Sequence, residues 1–254
     1  MTIKGETIWV TGASSGLGRE LALRLAEAGN TVIASARNME ALRDLAEGFS
    51  NIHIFEFDVS QREQVSNIRA SLEQRYSSID RVILNAGTCE YFNVNKPDWS
   101  MIGRVSQVNF IGAVNTLEAV WGLLLAAPKP HIVGVGSQAV GAPFPRTQAY
   151  GASKAALHYF LESMRVDLQL LNVDVTLLKP GFVDTPLTQR NDFSMPFLWP
   201  PEKAAVKMLA AIEKRQRSYA FPLPLSLLLW FGRSFPRIWL RLMRPSVVAD
   251  AAGD

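Results

Sequence analysis

Seven apolar runs of strand length, separated by segments of helical period, set the tightest limit on how this chain folds. They are "ETIWV" (6–10), "TVIASA" (31–36), "NIHIFEF" (51–57), "DRVILN" (80–85), "HIVGVG" (131–136), "VDVTLLK" (173–179) and the shorter "SYAF" (218–221). They are rich in Val and Ile and mostly apolar on both faces, as strands inside a parallel sheet are. Between them apolar residues recur every three or four positions, as in "GLGRELALRLAEAG" (16–29), which ends on a glycine stop signal. Repeated β-α alternation predicts an α/β fold: one doubly wound domain whose central parallel sheet carries helices on both faces. A length of 254 residues, 48% hydrophobic and 19% charged, suits one such domain, and no repeat, low-complexity run or linker divides it. The expected division is a body over 1–218 and an apolar, basic extension over 219–254 packed on or beside it. Ligands of such sheets sit at the carboxyl ends of the strands, so the irregular stretch 182–200 is the expected substrate loop.

Composition removes several classes of function. The single cysteine, Cys89, cannot form an internal disulfide, which fits a reducing compartment. The first residues, "MTIKGETIWV", hold no apolar stretch of signal-peptide length. A cytoplasmic location is therefore expected. His53, His131 and His158 are scattered, and with one cysteine they predict no metal site. The net charge of +3 is uneven: Lys214, Arg215, Arg217, Arg233, Arg237, Arg241 and Arg244 fall between 214 and 248, where there is no acid. The rest of the chain is mildly acidic. That distribution argues against a nucleic-acid partner and toward a membrane surface or another protein.

The first strand runs into "TGASSGLG" (11–18). Gly12, Gly16 and Gly18 permit a tight turn, a close approach of backbone to a pyrophosphate, and close packing of helix on strand. Ser14, Ser15 and Leu17 complete the turn, and the helix N-terminus supplies N–H donors for phosphate. The spacing is G-x-x-x-G-x-G, and a turn that binds nothing is the alternative meaning. The second strand ends at Arg37, where an NAD protein would carry an acid for the ribose 2′-OH. A guanidinium suits a 2′-phosphate, and the sequence shows no acid near it, so the expected cofactor is NADP(H). A solvated surface arginine is the alternative.

Further on, "AYGASKAAL" (149–157) places Tyr150 and Lys154 four residues apart, on one face of a helix. Asp58-Val59 follows the third strand, Asn85-Ala86-Gly87 the fourth, and Asn109 lies in a long helical segment. Ser137 ends the fifth strand, and Pro180-Gly181 with Val183 and Thr185 follows the sixth. With these motifs, in this order, residues 6–215 resemble the short-chain dehydrogenase/reductase family in its single-domain, Rossmann-like form. Leu84 before the Asn-Ala-Gly triplet and Gly136 before Ser137 depart from the family pattern without removing a reacting group. The resemblance implies an NADP-dependent oxidoreductase acting on a carbonyl or secondary alcohol. It makes Tyr150 the acid/base, Lys154 a ribose ligand, Ser137 a donor to the substrate oxygen and Asn109 the holder of a water in a proton path. It also implies that Asp58 and Val59 meet the adenine, that Asn85-Ala86-Gly87 passes the adenosine ribose, and that Pro180, Gly181, Val183 and Thr185 flank the carboxamide. The lysine beside Tyr150 is expected to lower the phenol's pKa. A catalytically idle NADP(H)-binding sensor or scaffold is the alternative function. The same resemblance predicts a homodimer or homotetramer through the helices carrying Asn109 and Tyr150, with Leu157, Tyr159, Phe160, Leu161 and Met164 as surplus apolar residues.

Candidate substrate contacts are Tyr91, Gln138, Val140, Phe144 and, in the loop, Phe193, Met195, Phe197, Leu198 and Trp199. They suit an apolar compound, although Phe197 and Trp199 can equally serve to pin the loop. In 219–245, Arg233, Arg237, Arg241 and Arg244 lie on one stripe with Phe235, Ile238, Trp239, Leu242 and Met243 interleaved, which predicts an amphipathic helix. Peripheral membrane contact, a pocket lid and a subunit interface are the roles open to it.

Overall fold

A computed structural model describes residues 3–244 of the protein. The strands are β1 (Thr7–Thr11), β2 (Thr31–Ala36), β3 (Ile52–Glu56), β4 (Arg81–Leu84), β5 (His131–Val135), β6 (Asp174–Pro180) and β7 (Ser218–Phe221). They form one sheet in the order β3-β2-β1-β4-β5-β6-β7, parallel at every pairing. The chain leaves β1 toward β2 on one side and returns to β4 on the other. That reversal opens a crevice at the carboxyl ends of β1 and β4.

Side chains alternate across the sheet because successive Cβ atoms point to opposite faces. Ile8, Val10, Val32, Ala34, Ile83 and Val133 pack against α1 (Gly16–Glu27), α2 (Met39–Ala46) and α7 (Pro201–Glu213) through Leu21, Leu25, Leu42, Leu45, Met208 and Ile212. Trp9, Ile33, Val82, Leu84 and Ile132 face the other way. They pack on α3 (Val65–Glu73), α5 (Gly112–Leu125) and α6 (Gln148–Leu168) through Ile68, Leu72, Val120, Leu124, Leu157 and Leu161. Leu157 and Leu161 thus serve the chain's own core and are not surplus, in contrast to the sequence expectation. Tyr159 is exposed, and Phe160 and Met164 are half-buried.

The helical run 100–125 joins α4 (Ser100–Ser106), a π turn (Gln107–Ile111) and α5. It is long and apolar enough to span a membrane by length and composition, but 56% of its most apolar window is buried inside the protein, as befits a core helix.

The extension is not one amphipathic helix. It forms two, α8 (Leu223–Ser234) and α9 (Pro236–Leu242), separated at Phe235-Pro236. Proline has no N–H to continue the first helix, and it suits the first turn of the second. Leu225, Leu229 and Trp239 bury together with Ala142 in a satellite core, and Trp239 Nε1 donates to Pro143 O at 2.6 Å. Expectations for residues 245–254 lie outside the described residues.

Candidate active site

The turn after β1 closes by backbone contact that no side chain would allow. Gly12 has φ +67° and Gly16 φ +54°, conformations that glycine adopts freely. A Cβ on Gly12 would stand 2.8 Å from Ala86 Cα, and one on Gly18 would stand 2.2 Å from Gly12 O. The Asn85 amide donates to Thr11 O and Gly12 O (3.0 and 3.2 Å), while the Thr11 hydroxyl accepts from Asn85 N and Ala86 N. This clamp joins the first and fourth strand ends.

A cavity of about 530 Å³ opens over the turn. It is lined by Gly12, Ser14, Ser15, Gly16, Leu17, Arg37, Asp58, Val59, Asn85, Ala86, Gly87, Tyr150, Lys154, Pro180, Gly181, Val183 and Thr185. Of the residues expected at the cofactor, Gly18 alone is outside this lining; it supports the turn from beneath. Asn38, Thr88, Leu187, Thr188 and Arg190 also line the cavity; no motif marks them in the sequence. A helix N-terminus, collision-prone glycines, guanidinium groups and a buried lysine make a donor set that fits a dinucleotide phosphate.

Arg37 does have an acid beside it, in contrast to the sequence expectation. Its Nη1 lies 3.9 Å from Asp58 Oδ2 because β2 and β3 are adjacent in the sheet. The other oxygen, Asp58 Oδ1, accepts from Ser60 N and Oγ at 3.0 and 2.7 Å. The Arg37 side chain remains 74% exposed, so its guanidinium is open to a further anion.

Tyr150 and Lys154 occupy the first two turns of α6, and Ser137 follows β5. Ser137 stands beside the Tyr150 phenol and favours its charged form. Lys154 Nζ donates to Val135 O at 2.8 Å. Asn109 sits in the π turn and is buried. Its Nδ2 donates to Thr88 O and Ser153 Oγ, both at 2.9 Å, and its Oδ1 accepts from Thr88 N at 2.7 Å. A Cβ on Gly87 would lie 3.3 Å from Asn109 Oδ1 and 3.4 Å from Lys154 Nζ, so both side chains converge on this glycine.

Burial governs the protonation of the pair. It pushes Tyr150 up to about 12, with Ser137 opposing, and pulls Lys154 down to about 8. The phenol is raised and not lowered, in contrast to the sequence expectation: desolvation, which disfavours the charged form, is the largest influence on each group.

His158, one turn beyond Lys154, was not singled out in the sequence. Its Nε2 accepts from Ser137 N at 3.2 Å. The imidazole fills the place of a side chain at 136: a Cβ there would lie 2.0 Å from Nε2. The departure at Gly136 therefore admits a group that ties down the backbone of Ser137.

A second cavity, of about 500 Å³, adjoins the first at Tyr150, Gly181, Leu187 and Thr188, which line both. Tyr91, Gln138, Phe144 and Phe193 line it as expected. Val140, Met195, Phe197, Leu198 and Trp199 do not. Trp199 instead packs on Phe221 (ring centroids 5.3 Å) and pins the loop through a bridge to Val183. In their place stand Phe182, Leu225, Leu228, Leu229, Trp239 and Met243. Most of these come from α8 and α9, which sequence spacing cannot connect with Tyr150.

Comparisons with known proteins agree with this architecture. The family model for short chain dehydrogenases matches residues 6–194. An uncharacterized oxidoreductase of Myxococcus xanthus is 38% identical over 220 residues, covering 85% of this chain and 87% of that protein. Sulfoacetaldehyde reductase 2 of Chromohalobacter salexigens is 34% identical over 191 residues, 72% of this chain and 75% of its own. A short chain dehydrogenase of Burkholderia cenocepacia, solved in complex with NADP, superposes with a TM-score of 0.83 at 26% identity over 97% of this chain and all of that one. The chain belongs to the short-chain dehydrogenase/reductase family and is an NAD(P)-dependent oxidoreductase.

Proposed function

We propose that this protein is an NADP-dependent carbonyl reductase acting on apolar aldehydes or ketones, with Tyr150 as the proton donor. The observation that carries the reading is the position of Tyr150. It lies where the two cavities meet, beside Ser137. A substrate oxygen at that junction would accept from both hydroxyls, which stabilises the charge that develops on it. The cofactor, when bound, supplies the hydride to the carbon. A phenol held at about 12 is protonated at neutral pH, the form that reduction requires. Lys154, at about 8, is largely cationic there and offsets charge left on the phenol oxygen after proton transfer.

Arg37 and Arg190 on the cofactor cavity, with Asn38 rather than an acid directly after Arg37, support NADP over NAD. The substrate cavity supports an apolar, uncharged compound. Its one cationic lining residue among those described, Arg146, is held by both carboxylate oxygens of Asp192 at 2.8 Å. The Gln138 amide is also engaged, with Pro222 O and Ser226 Oγ. A sulfonate such as that in the Chromohalobacter relative's name would find no free counter-charge.

The test is a panel of aryl and alkyl ketones and aldehydes, matched with carboxylated or sulfonated analogues, assayed by NADPH consumption. Preference for the uncharged members is expected. Turnover confined to the anionic members would overturn the substrate reading.

A further inference from the structure

The extension hides one side of itself and leaves the other bare. On α8, Leu225, Leu229 and Gly232 face inward, while Leu223, Leu227 and Trp230 are 66%, 59% and 65% exposed. On α9, Trp239 is buried, while Ile238, Leu240 and Leu242 are about half exposed or more. Large apolar side chains concentrated on adjoining helices are uncommon on a soluble surface and mark an interaction site. Arg233, Arg237, Arg241 and Arg244 stand among them, all exposed, and among the described residues none takes part in an ion pair.

We propose that the outer face of α8 and α9 docks on an anionic lipid surface. Apolar residues interleaved with arginines match the two layers such a surface presents, acyl chains below and negative headgroups above. A second copy of the chain fits less well. A two-fold contact would set this patch against itself, arginines against arginines, with no acid between 214 and 248 to neutralise them.

Continuity with the substrate cavity gives the docking a use. Leu228 and Phe193 each line that cavity and are about 40% exposed, so they form part of its rim. Leu228 lies beside Leu227 on the helix that carries the bare face. Docking would bring the rim to the lipid, from which an apolar carbonyl compound could enter without crossing water. That delivery rests on the proposed function, whereas vesicle binding does not.

The experiment is co-sedimentation of the full chain with vesicles of phosphatidylcholine alone or mixed with phosphatidylglycerol, at low and high salt. Binding to the anionic vesicles, weakened by salt, is expected. Arg237→Glu with Arg241→Glu should weaken it at least tenfold, and Leu227→Ser with Trp230→Ser should do likewise. Both double variants should keep NADPH affinity, which reports an intact fold. Absence of vesicle binding at low salt overturns the proposal. So does light scattering that shows the native patch occupied in a dimer which the Leu227/Trp230 variant dissociates. If vesicles bind but leave KM for apolar carbonyls unchanged, docking stands and delivery fails.

Discussion

At position 136 the missing side chain is what admits His158, and the exchange has a measurable consequence. Acceptance from Ser137 N puts the ring proton of the neutral imidazole on Nδ1. Burial holds His158 down at about 4, against an ordinary value of 6.5. The folded state therefore favours the neutral ring. Its contribution is complete above pH 6.5 and is lost as pH falls toward 4, by up to roughly 3 kcal/mol for a shift of this size. His158→Gln keeps an acceptor and cannot titrate. Urea unfolding between pH 7 and pH 4.5 should show a smaller stability loss for this variant than for native protein; parallel curves would refute the account. Gly136→Ser should cost about 1–3 kcal/mol through overpacking. A different test belongs to Arg37. Arg37→Asp should shift the NADPH/NADH affinity ratio toward NADH by at least ~tenfold, since a charge-assisted contact contributes about 1.5–3 kcal/mol. Titration showing that native protein already prefers NADH would remove the role given to this guanidinium.

Among the elements, α6 does three things at once. Leu157 and Leu161 anchor it to the sheet, Tyr150 and Lys154 face the cavities, and Tyr159 and Val166 stay exposed. Positions 159 and 166, seven residues apart, fall on one stripe of the helix. Such a stripe would suit a two-fold contact between subunits. Light scattering at micromolar concentration should give a dimer or larger, and Tyr159→Glu should shift it toward monomer. Monomer alone for native protein would contradict this. The strands were legible in the sequence to within a residue or two, because a strand buried on both faces reads as a continuous apolar run. The stripe on α6 was harder to read. Periodicity distinguishes faces but not which of them meets the chain's own sheet, so Leu157 and Leu161 looked like surplus. The split between α8 and α9 was signalled by Phe235-Pro236, but the arginine stripe on either side of it suggested a continuous helix.

Over the whole molecule, two cavities meet at one phenol, and they differ in how far the sequence disclosed them. The cofactor side is made of short motifs at strand ends, where backbone geometry demands particular residues: Gly12 against Ala86, Asn85 against Thr11. The cavity proposed for the substrate is made of apolar side chains drawn from distant segments, such as Phe144, Phe182, Leu229 and Trp239. Any large apolar residue can serve there, so no local signal identifies the contributors. The direction of the Tyr150 pKa was likewise hidden, because spacing reveals the lysine four residues away but not the burial that raises the phenol. The central claim is that this phenol passes its proton to an apolar substrate beside NADPH. Its most direct test is a single-turnover measurement of NADPH oxidation by native protein and Tyr150→Phe with a ketone that the native protein reduces, after NADPH binding to both has been measured by fluorescence. The account predicts nearly unchanged NADPH affinity and loss of at least ~100-fold in the hydride-transfer rate, the lower end of what a positioned acid contributes. Turnover within a few-fold of native in the phenylalanine variant would contradict it.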